Sequence, residues 1–248
     1  MSEVQVTLSQ EQRSDFKTRG YAALPRLIDN QGLSELRQAY DTILAGDVDT
    51  TQARDSYLGD VTRQVVGAEH CHPLFKANDA LAAGYKVARQ LLDWEPVFLY
   101  SQLLYKPPEH PFATPWHQDA AYMEMPFTPA GRRVTAAAAQ FWLALDDADE
   151  ENGCMHFHPG YGDQVLPHQV ASGAADSEAR LLGLVEPAKY IDPDRVVACP
   201  LPAGCATVHL GGTLHYTPPN VSKRPRRAYI FNFADRAYFD RLQTNHRS

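Results

Sequence analysis

Thr114-Pro115-Trp116-His117-Gln118-Asp119-Ala120-Ala121-Tyr122-Met123 is the stretch whose reading decides the fold. It reads as extended chain, and in a strand residues two apart project to the same face. His117 and Asp119 would then present an imidazole and a carboxylate to one point inside a barrel, as a pair of metal ligands does. A His-x-Asp alone is a common accident whose plain reading is an exposed polar face. A third ligand has to come from a distant strand, and Leu210-Gly211-Gly212-Thr213-Leu214-His215-Tyr216 supplies one, with two glycines that permit close backbone approach just before His215. Two imidazoles and one carboxylate on one face of an octahedral ion leave three adjacent positions open, which is the facial triad of non-haem Fe(II) sites. Zinc is less apt, because structural zinc sites are closed and catalytic ones usually keep a single open position.

Outward from this pair, everything after Trp94-Glu95-Pro96 breaks into short apolar or alternating runs separated by Pro, Gly and Asn: 97–105, 114–123, 137–146, 153–158, 196–200, 204–209 and 227–233. Such spacing predicts a sandwich or jelly roll with helices segregated at the N-terminal side, an α+β fold. Ser9-x-x-Gln12 is a capping box that opens a helix ending at Gly20, and a strand follows over 21–27. Asp29-Asn30 caps a second helix carrying Leu33, Leu36, Tyr40, Ile43 and Leu44, ending near Gly46. One or two more helices are expected over 73–92. No repeat or linker divides the chain. One domain is expected, with a helical part over about 8–93, a jelly-roll core over about 95–235, and an insertion or lid over about 162–191 that contains one helical stretch.

Composition narrows the function. With 23 Lys+Arg against 30 Asp+Glu the net charge is −7, unsuited to a nucleic-acid binder that needs a basic face. The apolar run Ala136 to Leu145, broken by Gln140, falls well short of the roughly 20 residues of a membrane helix. Residues 1–20 show no secretory signal, so the expectation is a cytoplasmic protein with no membrane contact. Cys71, Cys154, Cys199 and Cys205 form no CxxC and read as reduced and mostly buried. No P-loop or dinucleotide fingerprint is present.

Beyond His215 the chain runs Thr217, Asn220-Val221-Ser222, then Lys223-Arg224-Pro225-Arg226-Arg227 into the last strand. An arginine here is suited to clamp a carboxylate with two parallel hydrogen bonds. Alternation alone does not choose between Arg226 and Arg227, which face opposite sides. These motifs resemble the phytanoyl-CoA dioxygenase family of Fe(II)/2-oxoglutarate oxygenases. Also similar to that family is the run Phe141-Trp142-Leu143-Ala144-Leu145-Asp146-Asp147 leading to Glu151-Asn152-Gly153-Cys154-Met155 and His158-Pro159-Gly160. Where relatives show Pro-Gly-Ser-His, this chain has Tyr161-Gly162 after the Pro-Gly. The resemblance covers about 16–233.

The resemblance implies a double-stranded β-helix, a cupin-like jelly roll with N-terminal helices packed against one sheet. It implies iron held by His117, Asp119 and His215, and 2-oxoglutarate contacted by Arg226, Thr217, Trp142 and Gln102. With O2 as the third reactant, a C–H bond of a small metabolite or natural-product intermediate is oxidised, most simply hydroxylated, with succinate and CO2 formed. Retention of Asp119 argues against halogenation, since related halogenases carry a small residue there. Tyr100, Tyr122, Met123, Met125, Phe127 and Phe157 are the expected walls of the substrate pocket. His156 and His158 share a structural segment and are not read as a second metal pair; His70 and His72 read as surface or capping residues. Two other classes use the same barrel: a cupin-type metal-dependent isomerase or hydrolase, which needs neither Arg226 nor 2-oxoglutarate, and a non-catalytic metal-binding barrel. Substrate identity and oligomeric state are not legible.

Overall fold

A computed structural model describes residues 6–123, 133–177 and 179–245. The N-terminal helices start and stop where their caps dictate. Helix α1 (Gln10–Arg19) opens on the reciprocal Ser9/Gln12 capping box and closes on Gly20 at φ +80°, a left-handed conformation that suits glycine. Strand β1 (Tyr21–Leu24) is shorter than the expected 21–27. Helix α2 (Asn30–Ala45) is capped by the Asp29 side chain on the Gly32 N–H, and buries Leu33, Leu36, Ala39, Tyr40 and Ile43. A hairpin, β2 (Arg54–Leu58) and β3 (Thr62–Val66), comes next in a region read from sequence as mostly helical. A single 3-10 turn over Pro73–Phe75 then leads to α3 (Asp79–Leu91).

The remaining strands are β4 (Pro96–Lys106), β5 (Thr114–His117), β6 (Ala138–Ala144), β7 (Met155–His158), β8 (His168–Ser172), β9 (Leu181–Leu184), β10 (Val197–Cys199), β11 (Ala206–Leu210), β12 (Leu214–Thr217) and β13 (Arg226–Asp235), with α4 (Arg236–Asn245) closing the described chain. They form antiparallel sheets: a seven-stranded one ordered β1-β11-β6-β13-β4-β3-β2 and a four-stranded one ordered β10-β7-β12-β5. β8 and β9 make a separate hairpin, so the described part of the segment 162–191 carries two strands and one short 3-10 turn where a helical stretch was expected.

Alternation along β13 separates the two faces of the large sheet. Tyr229, Phe231 and Phe233 join α2 and α3 in the principal core, with Phe141 and Phe231 stacked at 5.1 Å. The opposite face, with Trp142, Ala228 and Ile230, meets Met155, Phe157 and Cys199 of the small sheet in a second cluster. Helices therefore cover the outside of the large sheet, and the space between sheets is left for a site. Gly84 of α3 lies so close to Phe231 that a Cβ would stand 2.4 Å from its ring, so close approach of helix to sheet requires glycine here.

Candidate metal and cosubstrate centre

β5 and β12 pair with His117 directly opposite His215, which brings the two rings to 4.1 Å between centroids. The expected strand over 114–123 ends at His117, and Asp119 instead opens a 3-10 turn, Asp119–Tyr122. The shared face that brings Asp119 to the histidines is thus made by a turn and not by strand alternation. That turn is held by the Ala120 N–H on the Gly211 carbonyl, 2.8 Å. Gly212 passes where a Cβ would lie 2.4 Å from the Gly162 carbonyl oxygen, which is the close approach expected of this glycine pair. Asp119 Oδ1 stands 3.6 Å from both His117 Nε2 and His215 Nε2. Ligand atoms of these three residues all lie within 4.8 Å of one another, and no other such cluster occurs among the described residues.

The donor set has the protonation that a divalent ion requires. His117 Nδ1 lies 2.8 Å from the Pro115 carbonyl and His215 Nδ1 2.9 Å from the Thr213 carbonyl. A carbonyl only accepts, so each Nδ1 carries the hydrogen and each Nε2 keeps its lone pair toward the centre. Burial holds both imidazoles below their ordinary pKa, His215 well below it. Burial alone would raise the Asp119 carboxyl; the neighbouring His215, a hydrogen bond from His209 and the His117 ring outweigh it and hold the acid well below the usual carboxylate range.

Two residues that sequence reasoning missed aim this carboxylate. Gln140 Nε2 donates to Asp119 Oδ2 at 2.8 Å, and His209 Nε2 lies 3.2 Å from the same oxygen. Oδ2 is occupied by β6 and β11, which leaves Oδ1 for the centre. The signal was present, since Gln140 interrupts an apolar strand and His209 lies on an inward position of β11, but neither belongs to a spaced motif.

A cavity of about 640 Å³ opens beside His117 and Asp119. Its lining includes Tyr100, Tyr122 and Met123, named above as pocket walls, and Gln102, named above for 2-oxoglutarate, together with Gln64, Gln140 and Asn232. Phe157 does not. It is fully buried and stacked on Tyr21 at 4.2 Å, packing beneath His209 and His215, because its position on β7 points into the second core cluster. Met125 and Phe127 lie outside the described residues. His156 and His158 bond separately, His156 Nδ1 near the Cys154 carbonyl and His158 Nε2 accepting from the Asp192 N–H. His72 caps the Pro73–Phe75 turn by accepting from the Leu74 N–H.

Deeper between the sheets, Arg226 is fully buried. Its Nη1 donates to the Gly153 carbonyl at 2.9 Å, its guanidinium carbon stands 5.2 Å over the Trp142 ring, and its Nε and Nη2 have no protein partner. Trp142 Nε1 is likewise buried without a partner. Buried donors are normally satisfied, so this cluster is built for an acceptor that the protein does not itself provide. A carboxylate meets that need, so the pocket fits the distal end of 2-oxoglutarate as the triad fits Fe(II). Arg227, one residue on, is engaged outside: its Nη2 and Nε bond Asp146 and its Nη1 bonds Asp41 of α2. The Asn220-Val221-Ser222 motif is a brace, with Asn220 donating to the Pro107 and Arg224 carbonyls and accepting from Ser222.

Fold and donor set together define an antiparallel two-sheet barrel with a candidate two-histidine, one-carboxylate centre. The phytanoyl-CoA dioxygenase family model matches residues 16–228, and the chain belongs to that family. It is 28% identical to phytanoyl-CoA dioxygenase domain-containing protein 1 of Danio rerio over 66% of this chain and 53% of that protein, so it spans about half the length of that curated relative. It is 24% identical to a probable alpha-ketoglutarate-dependent hypophosphite dioxygenase of Stutzerimonas stutzeri over 90% of this chain and 78% of that one. Among solved structures, EvdO2 of Micromonospora carbonacea var. aurantiaca, in complex with 2-oxoglutarate, superposes with a TM-score of 0.75 at 32% identity over 94% of both chains. The carbocyclase SnoK, at 21% identity and a TM-score of 0.68 over 92% of this chain and 85% of that one, shares the fold.

Proposed function

We propose that this chain is a non-haem Fe(II)- and 2-oxoglutarate-dependent dioxygenase on a double-stranded β-helix, which hydroxylates a C–H bond of a small metabolite or natural-product intermediate. The observation that carries this reading is the coexistence of two unfilled sets of ligands in one barrel. One is a neutral, neutral, anionic triad facing the cavity; the other is a buried guanidinium with unspent donors behind it. The family, and the likeness to EvdO2 with its bound 2-oxoglutarate, support the same assignment.

His117, Asp119 and His215 would hold the iron, with Gln140 and His209 keeping Asp119 in its orientation. Iron with O2 and 2-oxoglutarate supplies the oxidising power, the cosubstrate leaving as succinate and CO2. Arg226 and the Trp142 N–H bind the distal carboxylate, and the Thr217 hydroxyl, two residues past His215 on the same strand face, adds a third donor. At about 3.3 Å per residue that places Thr217 roughly 6–7 Å beyond the histidine, a spacing suited to a five-carbon diacid. Gln102 borders the cavity beside His117 and Asp119. The substrate occupies the remaining cavity, where Gln64, Gln140, Asn232 and Arg180 stand beside Leu58, Val66, Leu99, Met123 and three tyrosines; this mixed lining offers hydrogen bonds to polar groups of a substrate and apolar surface to the rest of it. The β8–β9 hairpin covers one side of it as a lid, the Leu182 N–H donating to the Tyr122 hydroxyl at 2.8 Å.

A cupin-type isomerase or hydrolase would use the triad but leave Arg226 and Trp142 without a purpose. Oxygen uptake coupled to succinate formation, measured with added Fe(II) and 2-oxoglutarate, tests the proposal. Stoichiometric succinate that disappears in His117→Ala supports it; metal binding without 2-oxoglutarate consumption under any substrate screen rejects it.

A further inference from the structure

The cosubstrate pocket holds a second buried cation. Lys106 ends β4 directly opposite Arg226 on β13, and both residues are completely buried. Lys106 Nζ reaches Thr217 Oγ1 at 2.9 Å, the Thr217 carbonyl at 3.3 Å and the Pro218 carbonyl at 2.7 Å, all neutral acceptors. Among the described residues no carboxylate pairs with Lys106 or with Arg226. The surrounding elements add nothing to balance them. His110, from the segment after β4, bonds the Thr62 hydroxyl through Nε2, and burial and the two cations hold its pKa down. Cys154, ahead of β7, is a thiol pushed up to about 12 by burial, and Tyr40 of α2 is a buried phenol whose pKa burial raises further. Asp146 acts on Arg226 only through space, and it is engaged by Arg227 on the outer side.

Two adjacent cations in a dry interior are unstable unless an anion joins them or one gives up its proton. Arginine stays charged, so the adjustable partner is lysine. Burial, reinforced by Arg226, lowers the Lys106 amine to about 6. Its contact with Thr217 makes the change consequential. A neutral amine has two donors and a lone pair, and can accept the Thr217 hydroxyl hydrogen; an ammonium has three donors, turns all of them on the three oxygens, and releases that hydrogen for another acceptor.

We propose that Lys106 is a positioning residue of the cosubstrate pocket, taking a proton from solvent when the distal carboxylate of 2-oxoglutarate arrives and thereby directing the Thr217 hydroxyl onto it. This rests on the assignment of Arg226 and Thr217 to 2-oxoglutarate made above. Binding of the cosubstrate then consumes a proton, and its affinity depends on pH although the diacid itself stays fully ionised.

The test is calorimetric titration of the Fe(II)-loaded protein with 2-oxoglutarate under argon, near pH 7.5, in two buffers of different ionisation enthalpy. No turnover is involved. The expected result is net uptake approaching one proton per site in the wild type, none for 2-oxopentanoate, which lacks the distal carboxylate, and affinity for 2-oxoglutarate that falls by up to tenfold per unit as pH rises from 7 to 9. In Lys106→Met the uptake should vanish and affinity drop about tenfold or more. These wild-type measurements stand even if the variant fails to fold. Wild-type binding without proton uptake, or equal uptake for 2-oxopentanoate, overturns the proposal, as does Lys106→Met binding unchanged. If 2-oxoglutarate binding depends on Arg226 but not on Lys106, this inference alone falls; if it is also indifferent to Arg226→Ala, the cosubstrate assignment falls with it.

Discussion

Asp119 shows how much of a carboxylate's orientation is set by residues outside the triad it belongs to. Its Oδ2 is spent on Gln140 and His209, so only Oδ1 faces His117 and His215. Losing such an orienting partner characteristically costs a metal site about 10- to 100-fold in affinity. Gln140→Leu and His209→Phe are each expected to weaken Fe(II) binding by that order while leaving the fold intact, read by metal competition titration and circular dichroism. Asp119→Ala should abolish both binding and turnover. At the other end of the pocket, Arg226→Ala removes a charged hydrogen-bond donor worth about 1.5–3 kcal/mol, so the 2-oxoglutarate concentration for half-maximal rate should rise roughly tenfold to a hundredfold, with the substrate requirement little changed. Arg227→Ala should instead loosen the contact of α2 with the sheet, lowering thermal stability and sparing cosubstrate affinity.

Element by element, legibility followed the locality of the signal. The Ser9 and Asp29 caps and the Gly20 and Gly46 stops act within one turn, and α1 and α2 were read almost to the residue. The hairpin β2–β3 was missed because Arg54-Asp55-Ser56-Tyr57-Leu58 is a half-exposed edge strand with little apolar alternation. β12 enters the sequence reading only as the distant strand that supplies His215, without bounds of its own. His117 and His215 were legible from spacing and chemistry, but Asp119 reached them through a 3-10 turn that pattern alone does not distinguish from extended chain. Arg226 needed the family resemblance to separate it from Arg227; β13 makes the distinction physically, by sending alternate residues to helices and to the barrel. Lys106 was invisible, since a lysine closing a strand before Pro107 ordinarily points to water. The close fit of α3 on β13 gives its own prediction. Gly84→Val drives a side chain into Phe231, and overpacking of that kind costs about 1–3 kcal/mol, measurable as a lower midpoint in urea.

At the scale of the whole molecule, the unmatched cations tie stability to pH. The Lys106 amine is held near 6 in the folded chain against 10.5 ordinarily, so between those values the unfolded chain binds a proton that the folded chain does not. Stability therefore rises with pH across that window and is lost as pH falls toward 6. The ligand-free wild type should gain on Lys106→Met as pH is raised from 6 to 10, with Lys106→Met the more stable of the two at the acid end; a constant difference in midpoint would remove the lysine from the account. Gln118 joins the centre to the rest of the molecule in another way. Lying between His117 and Asp119 in sequence, its side chain turns away from them to donate to the Gly212 and Gln164 carbonyls and to accept from the Leu166 N–H. The inserted segment is thereby knotted to the backbone that carries His117 and Asp119. Whatever pulls residues 164–166 outward must tilt that backbone too, and by reciprocity a seated ion tightens the insertion: occupancy at the centre and closure at the rim become one equilibrium seen from two places.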